Sequence, residues 1–227
     1  MEVARNDMPH NNFLEKVRDY ANQKDIILIF DECTSGFRET FGGLHKKYSV
    51  EPDMSMFGKA LGNGYAITSV IGKENIMKHA EDSFISSTFW TERIGFAAGI
   101  ATLDAMEKYR SWEKITQNGK KIINKWNEIS KKSDLKIQVQ GLKGIPSFSF
   151  ENKNLEYKTL ITQEMLKRGF LATNLMFVTI LHTPENMEDY FKNLEEVFKK
   201  IKECEDGRPI EEFLDGPVSH SGFQRLN

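Results

Sequence analysis

The sequence of 227 residues lacks the features that mark several classes of protein. Its two cysteines, Cys33 and Cys204, are too few for a disulfide framework, and neither belongs to a Cys-x-x-Cys pair. The longest purely apolar runs, such as IILIF at 26–30, are far too short to span a bilayer. The first residues, MEVARNDMPHNN, lack the apolar stretch of a secretory signal. We therefore expect a cytoplasmic protein that is not inserted in a membrane.

An excess of charge of either sign is also missing. The chain has 31 Lys and Arg residues against 33 Asp and Glu residues, and its formal net charge is -2. This balance provides no long-range attraction to nucleic acid or to anionic lipid. The five histidines are scattered, with no pair at metal-ligand spacing. We expect no nucleic acid, membrane or metal ion as a partner.

Nucleotide-binding and hydrolase motifs are incomplete. The Gly-Lys pairs at 58–59 and 72–73 lack the first glycine and the following Ser or Thr of a phosphate-binding P-loop. The glycines at 62 and 64 are followed by Ile67 where the dinucleotide fingerprint has its third glycine. Spacing alone does not exclude a Ser-His-Asp triad, but no Gly-x-Ser-x-Gly elbow is present.

Apolar patterns in the first part predict helices that alternate with short strands. Residues 12–24 place apolar side chains on one helical face, and DIILIFDE at 25–32 is typical of a strand buried on both faces. Short apolar runs at 65–73 and 83–90 predict a second and a third strand, and 92–108 predicts a mostly apolar helix. This alternation favours an α/β architecture.

The patterns change beyond residue 110. A more polar helix is predicted to about residue 130, and KIQVQG and IPSFSFE then alternate like antiparallel strands. Helices are predicted at about 156–168 and 185–203, and the second of these carries an apolar stripe that we interpret as core. The boundary near residue 110 separates an α/β part from an α+β part.

One lysine is framed by glycines in SMFGKALGNGY at 55–65, and an acid follows a buried strand at Asp31. Open α/β sheets bind ligands at the carboxyl edge of their strands, where Asp31 is expected. Pyridoxal phosphate requires a lysine that forms a Schiff base and an acid that keeps its pyridine nitrogen protonated. Lys59 and Asp31 fit these two roles. A strand-end cap at Asp31 and a solvated lysine at 59 remain open alternatives.

Three ordered blocks carry a family resemblance: LIFDECTSGFRETFGG, PDMSMFGKALGNGYAITSVIGK and SSTFWTERIGFAAGIATLDAM. They resemble consecutive blocks of the class III pyridoxal-phosphate-dependent aminotransferases of fold type I, in the branch around glutamate-1-semialdehyde aminomutase. The resemblance implies an α/β fold and an aminotransferase that acts on a small amine or carbonyl substrate. An intramolecular aminomutase is the alternative. The chain resembles the C-terminal half of such an enzyme, so an inactive truncated remnant is a further alternative.

The resemblance also implies roles for five residues. Asp31 pairs with the pyridine nitrogen of pyridoxal phosphate, and Lys59 forms the Schiff base and moves a proton. Cys33 packs under the ring, where the family usually has Val or Ile, and Thr34 lies near the ring hydroxyl. Thr88 binds the cofactor phosphate of the other subunit, which implies a homodimer with a shared active site.

Two domains follow from the same resemblance. Residues 1–110 correspond to part of the cofactor-binding large domain, with a mostly parallel sheet and helices. Residues 111–227 correspond to a linking helix and a smaller C-terminal α+β domain with a tail. The Gly/Ser-rich turn by which family members hold the cofactor phosphate is not found in the sequence.

Overall fold

The computed structural model describes residues 8–86, 88–89 and 92–220. Contacts divide the chain into two units, Met1–Thr116 and Gln117–Asn227. The described residues form a three-stranded sheet in the first unit and a two-stranded sheet in the second. All five residues to which the sequence gives a site role belong to the first unit.

The first unit contains helices that flank a short mixed sheet. Its elements are α1 (Phe13–Gln23), β1 (Ile29–Asp31), β2 (Met54–Phe57), β3 (Ser69–Gly72), α2 (Glu74–Met77) and α3 (Arg93–Tyr109). The central strand β2 runs parallel to β1 and antiparallel to β3. Leu14 of α1 packs with Phe30 of β1 and with Val50 in a buried apolar cluster.

The Asp53 carboxylate fixes the alignment of the strands at the end where β2 begins. Its Oδ2 accepts hydrogen bonds from the Leu28 amide and from Arg18 Nη1, both at 2.8 Å, and its Oδ1 accepts from Lys73 Nζ at 2.7 Å. Burial alone would raise the pKa of Asp53, but these hydrogen bonds outweigh it and hold the pKa well below its usual range. One carboxylate thus joins the residues next to β1 and β3 to the start of β2.

Helix α3 packs through its glycines and leaves large apolar side chains outside. Gly95 and Gly99 are its buried residues, and a Cβ on Gly95 would lie 2.7 Å from the Ala66 carbonyl oxygen. In contrast, Ile94, Phe96 and Ile100 are each more than half exposed. The predicted apolar helix is therefore confirmed, but Phe96 and Ile100, one turn apart on the same face, are left more than half exposed among the described residues.

The predicted strand at 83–90 is wrong for the part of it that the structure describes. Residues 83–86 and 88–89 form bends, turns or irregular backbone. Phe84 is 98% exposed, so it lacks the packing that stabilises a strand side chain. An apolar run alone does not provide a neighbouring strand for its backbone to bond.

The second unit is built on a β-hairpin covered by helices. Helix α4 (Ser111–Lys132) continues into it from the first unit, followed by β4 (Ile137–Leu142), β5 (Ile145–Phe150), α5 (Asn154–Lys167) and α6 (Pro184–Glu205). Strands β4 and β5 are antiparallel. The helices and strands predicted beyond residue 110 are confirmed. The stripe on α6 is core, since its members Leu194, Val197, Phe198 and Ile201 are fully buried.

The described part of the chain contains neither a membrane-spanning helix nor a cluster of metal-ligating side chains. No helix there is long and apolar enough to cross a membrane. Within the same residues, no group of three His, Cys, Asp or Glu side chains is placed to hold a metal ion.

Candidate active site

An acid and an amine follow the two parallel strands at the same edge of the sheet. Asp31 is the last residue of β1 and pairs in register with Met56 of β2. Lys59 comes two residues after Phe57, where β2 ends. Because the carboxyl ends of parallel strands meet at one edge, Asp31 and Lys59 are brought to the same edge. There Asp31 is half-buried and Lys59 is exposed.

The loop after β1 connects this acid to this amine. The Cys33 amide donates a hydrogen bond to Asp31 Oδ1 at 3.1 Å. The next residue, Thr34, accepts a hydrogen bond at its hydroxyl from Lys59 Nζ. Asp31, Cys33 and Thr34 therefore lie within four residues of chain. Thr34 connects them to Lys59 through its hydrogen bond.

The backbone holds Lys59 in an unusual conformation. Its φ is 43°, in the left-handed region that residues other than glycine rarely adopt. Lys59 begins a single turn, Lys59–Leu61, and the turn is followed by Gly62, on which a Cβ would lie 2.1 Å from the Tyr65 carbonyl oxygen. Glycine is thus required where the chain folds back beside Lys59. Strained backbone of this kind is concentrated at functional sites.

Cys33 and Thr88 have different surroundings. Cys33 is half-buried, and its Sγ would lie 3.6 Å from a Cβ added to Gly58, so it packs against the backbone next to Lys59. Thr88 is exposed in a turn. Its predicted partner is a cofactor phosphate in a second subunit, so its position within one chain does not test that role.

Sequence reasoning gave no role to Glu32, which is the most buried acid beside the site. Its exposed fraction is 0%, and its carboxylate lies against the main chain of Leu44 and His45. The sequence feature that could have drawn attention to Glu32 is its position as a second acid directly after Asp31 at the end of a strand. The residues that enclose it lie 12 and 13 positions away along the chain.

The donor set at this edge fits pyridoxal phosphate. A primary amine at Lys59 can bond to an aldehyde, and a carboxylate at Asp31 can accept a hydrogen bond from a protonated ring nitrogen. A hydroxyl at Thr34 contacts the amine. These groups suit amine and carbonyl chemistry at one edge of an α/β sheet.

Comparison with known proteins agrees with this chemistry. The chain matches the family model Aminotransferase class-III over residues 6–197. It is 32% identical over 202 residues to a 3-aminobutyryl-CoA aminotransferase of Cloacimonas acidaminovorans (strain Evry), a match that covers 86% of this chain and 49% of the relative. It is 32% identical over 167 residues to a glutamate-1-semialdehyde 2,1-aminomutase of Methanococcoides burtonii, covering 72% of this chain and 39% of the relative.

Solved structures that superpose on this chain support its assignment to the α/β class. The FumI protein of Sphingopyxis sp. MTA144, in its PLP internal aldimine form, superposes with a TM-score of 0.80 at 21% identity over 89% of this chain and 50% of that one. A transaminase with PLP bound gives a TM-score of 0.78 at 18% identity over 86% and 49%. The expected α/β fold is therefore confirmed. The chain spans about half the length of the curated relatives it matches.

Proposed function

The chain belongs to the class III aminotransferase family, and from that premise we propose that it serves pyridoxal-phosphate-dependent transfer of an amino group between small amine and carbonyl compounds. One observation carries the proposal: Asp31 and Lys59 lie at the same edge of the parallel strands. There Lys59 donates a hydrogen bond to Thr34, which belongs to the loop that follows Asp31. Residues 1–110 would supply the cofactor-binding part, and residues 111–227 the linking helix and small domain. A cytoplasmic location fits a chain whose two cysteines are too few for a disulfide framework.

Each site residue has a distinct task in this proposal. Pyridoxal phosphate, when bound, supplies an aldehyde that bonds to amines and a ring that accepts electrons from the bond broken at the substrate carbon. Lys59 Nζ would hold the cofactor and would carry a proton to or from the substrate α-carbon. Asp31 keeps a proton on the ring nitrogen through a charge-assisted hydrogen bond.

The loop residues support these two groups. Thr34 accepts a hydrogen bond from Lys59 and therefore orients the amine at the sheet edge; we assign it to the region of the ring hydroxyl. Cys33 packs beside Gly58, where a small and weakly polar side chain can lie under a flat ring.

The proposal includes a homodimer with a shared site, in which Thr88 of each subunit binds the cofactor phosphate of the other. The exposed side chains of Phe96 and Ile100, adjacent on one face of α3, support it, because neighbouring apolar side chains left outside suit a protein interface. Size-exclusion chromatography with light scattering tests this part. We expect twice the chain mass of 26.2 kDa, and a single-chain mass in the presence of cofactor would contradict it.

A second candidate, an intramolecular aminomutase, is favoured by matches to several glutamate-1-semialdehyde 2,1-aminomutases. The same lysine and acid serve both reactions, since only the carbon that receives the amino group differs. A third candidate, a chain without activity of its own, follows from its coverage of only about half of each relative.

One experiment separates these candidates. The chain is incubated with pyridoxal phosphate and a panel of amino donors, and mass spectrometry follows pyridoxamine phosphate and released carbonyl products. Net transfer to a second acceptor supports the aminotransferase, and isomerisation without an acceptor supports the aminomutase. The variant Lys59→Ala should remove either activity, whereas the exposed control Lys78→Ala should not. Absence of both products from the unmodified chain would support the inactive candidate.

A further inference from the structure

Glu32 is enclosed by the loop that it begins. Its Oε2 accepts hydrogen bonds from the Leu44 amide and from the Ser35 hydroxyl, the latter at 3.3 Å. Its Oε1 accepts from the His45 amide at 3.1 Å and lies 2.6 Å from His45 Nδ1. A carboxylate that is fully buried needs this number of partners, because an unpaired buried charge is very costly. We refer to Glu32, Ser35, Leu44 and His45 as the Glu32 clamp.

The clamp joins the start of the irregular loop after β1, at Glu32, to its far end at Leu44 and His45. The Glu32 carbonyl accepts from the Gly36 amide at 2.8 Å, and Arg38 Nε donates to the Thr34 carbonyl at 2.6 Å, so the first turn of the loop is fixed as well. At the far end, a Cβ on Gly43 would lie 2.3 Å from the His45 ring. Only glycine leaves His45 the room to reach the carboxylate.

The residues on either side of Glu32 belong to the candidate site. Asp31 precedes it, and Thr34, which accepts from Lys59, follows within two residues. The Glu32 amide donates to the Met56 carbonyl at 2.9 Å, which continues the pairing of β1 with β2 beyond Asp31. A backbone rotation at position 32 would therefore shift the Thr34 hydroxyl relative to Asp31, which β1 holds at the edge where Lys59 lies.

We propose that Glu32 is a positioning residue: its buried carboxylate closes the loop after β1 and thereby holds Asp31 and Thr34 at the edge where Lys59 lies. It acts through its neighbours and contacts neither cofactor nor substrate. The inference rests on the proposed function, because it takes Asp31 and Lys59 as the groups that hold pyridoxal phosphate.

The test compares two buried acids of the same loop. Glu32→Gln keeps the size of the side chain but replaces one acceptor oxygen with a donor group, which leaves a clamp amide without an acceptor. Glu39→Gln is the matched control, because Glu39 is also buried but pairs with Lys47 outside the clamp. His45→Leu is a second clamp variant that removes the ring donor to Glu32 and keeps the His45 amide in the clamp.

We expect Glu32→Gln to bind pyridoxal phosphate at least about tenfold more weakly, which is the effect of losing the charge-assisted hydrogen bond that a misplaced Asp31 would no longer make to the ring nitrogen. After borohydride reduction, a smaller fraction of the variant should carry the cofactor on Lys59. His45→Leu should shift both readouts in the same direction by less, and Glu39→Gln should stay within about twofold of the parent chain. Normal cofactor binding by both clamp variants, or an equal loss in Glu39→Gln, would overturn the inference.

Hydrogen exchange of the cofactor-free chain distinguishes this inference from the proposed function. Amides at 33–45 should exchange faster in Glu32→Gln than in the parent chain, and those of β4 and β5 should not change. If the parent chain carries no cofactor on Lys59, the proposed function fails. Unchanged exchange at 33–45 would overturn the clamp by itself, whatever the cofactor result.

Discussion

Replacing Asp53 with Asn should loosen the alignment of the strands that carry the candidate site. Asn keeps an oxygen for the Leu28 amide, so the change removes mainly the charge that Arg18 and Lys73 contact. The Arg18 and Asp53 side chains are only 14% and 11% exposed, and this charged contact is worth about 1.5–3 kcal/mol. The Lys73 side chain is 51% exposed, which limits its share to about 0.5 kcal/mol.

These contributions predict a loss of about 2–3.5 kcal/mol in the local opening free energy of the sheet. Native-state hydrogen exchange at pH 7 measures it. Amides 53, 54 and 73, which donate hydrogen bonds across the strands, should exchange roughly 30- to 400-fold faster in Asp53→Asn. Amides of β4 and β5 in the second unit provide an internal control. Asp19→Asn, an exposed acid of α1, is the matched variant and should change little.

The loss should also depend on pH. The pKa of Asp53 is held well below its usual value in the folded chain, so its stabilisation is complete above the unfolded pKa of about 3.9 and is lost as pH falls below it. Urea unfolding should therefore separate the parent chain from Asp53→Asn fully at pH 7 and less at pH 3. A difference under about 0.5 kcal/mol at pH 7, or one that does not shrink at pH 3, would refute this reasoning.

Two further changes test the site and the second unit. Asp31→Asn should weaken pyridoxal phosphate binding by roughly 10- to 100-fold, because a neutral amide replaces the carboxylate of a charge-assisted hydrogen bond. Fluorescence titration measures the affinity, with Asp82→Asn, at an exposed acid, as the control. An affinity of Asp31→Asn equal to that of the parent chain would contradict the assigned role. Ile201→Ala should destabilise the second unit by about 2–5 kcal/mol, because Ile201 is fully buried. Thermal unfolding measures this change, with Leu171→Ala, at a side chain 96% exposed, as the control; equal losses in the two variants would contradict the core position of Ile201.

The parts of the fold that depend on local patterns were predictable from the sequence. The 3.6-residue apolar stripe of α6 and the alternation in β4 and β5 are local signals, and all three elements formed close to their expected bounds. The positions of Asp31 at the end of a strand and of Lys59 among glycines were local signals too.

Features that depend on contacts between distant residues were not predictable. The run at 83–90 had the composition of a strand, but a strand requires a neighbouring chain, and sequence alone does not show whether one is available. Glu32 had no assigned role because its partners Leu44 and His45 are reached through an irregular loop without periodicity. For α3, composition predicted an apolar helix but not which face would be covered.

The site which Lys59 shares with Asp31 is tested most directly by identifying the residue to which pyridoxal phosphate attaches. The full chain is incubated with the cofactor, reduced with borohydride and digested, and the modified lysine is mapped by mass spectrometry. The phosphopyridoxyl group should be found on Lys59, and its yield there should fall in Asp31→Asn. Modification spread evenly over other exposed lysines, or no modification of Lys59, would contradict the assignment of this edge as the cofactor site.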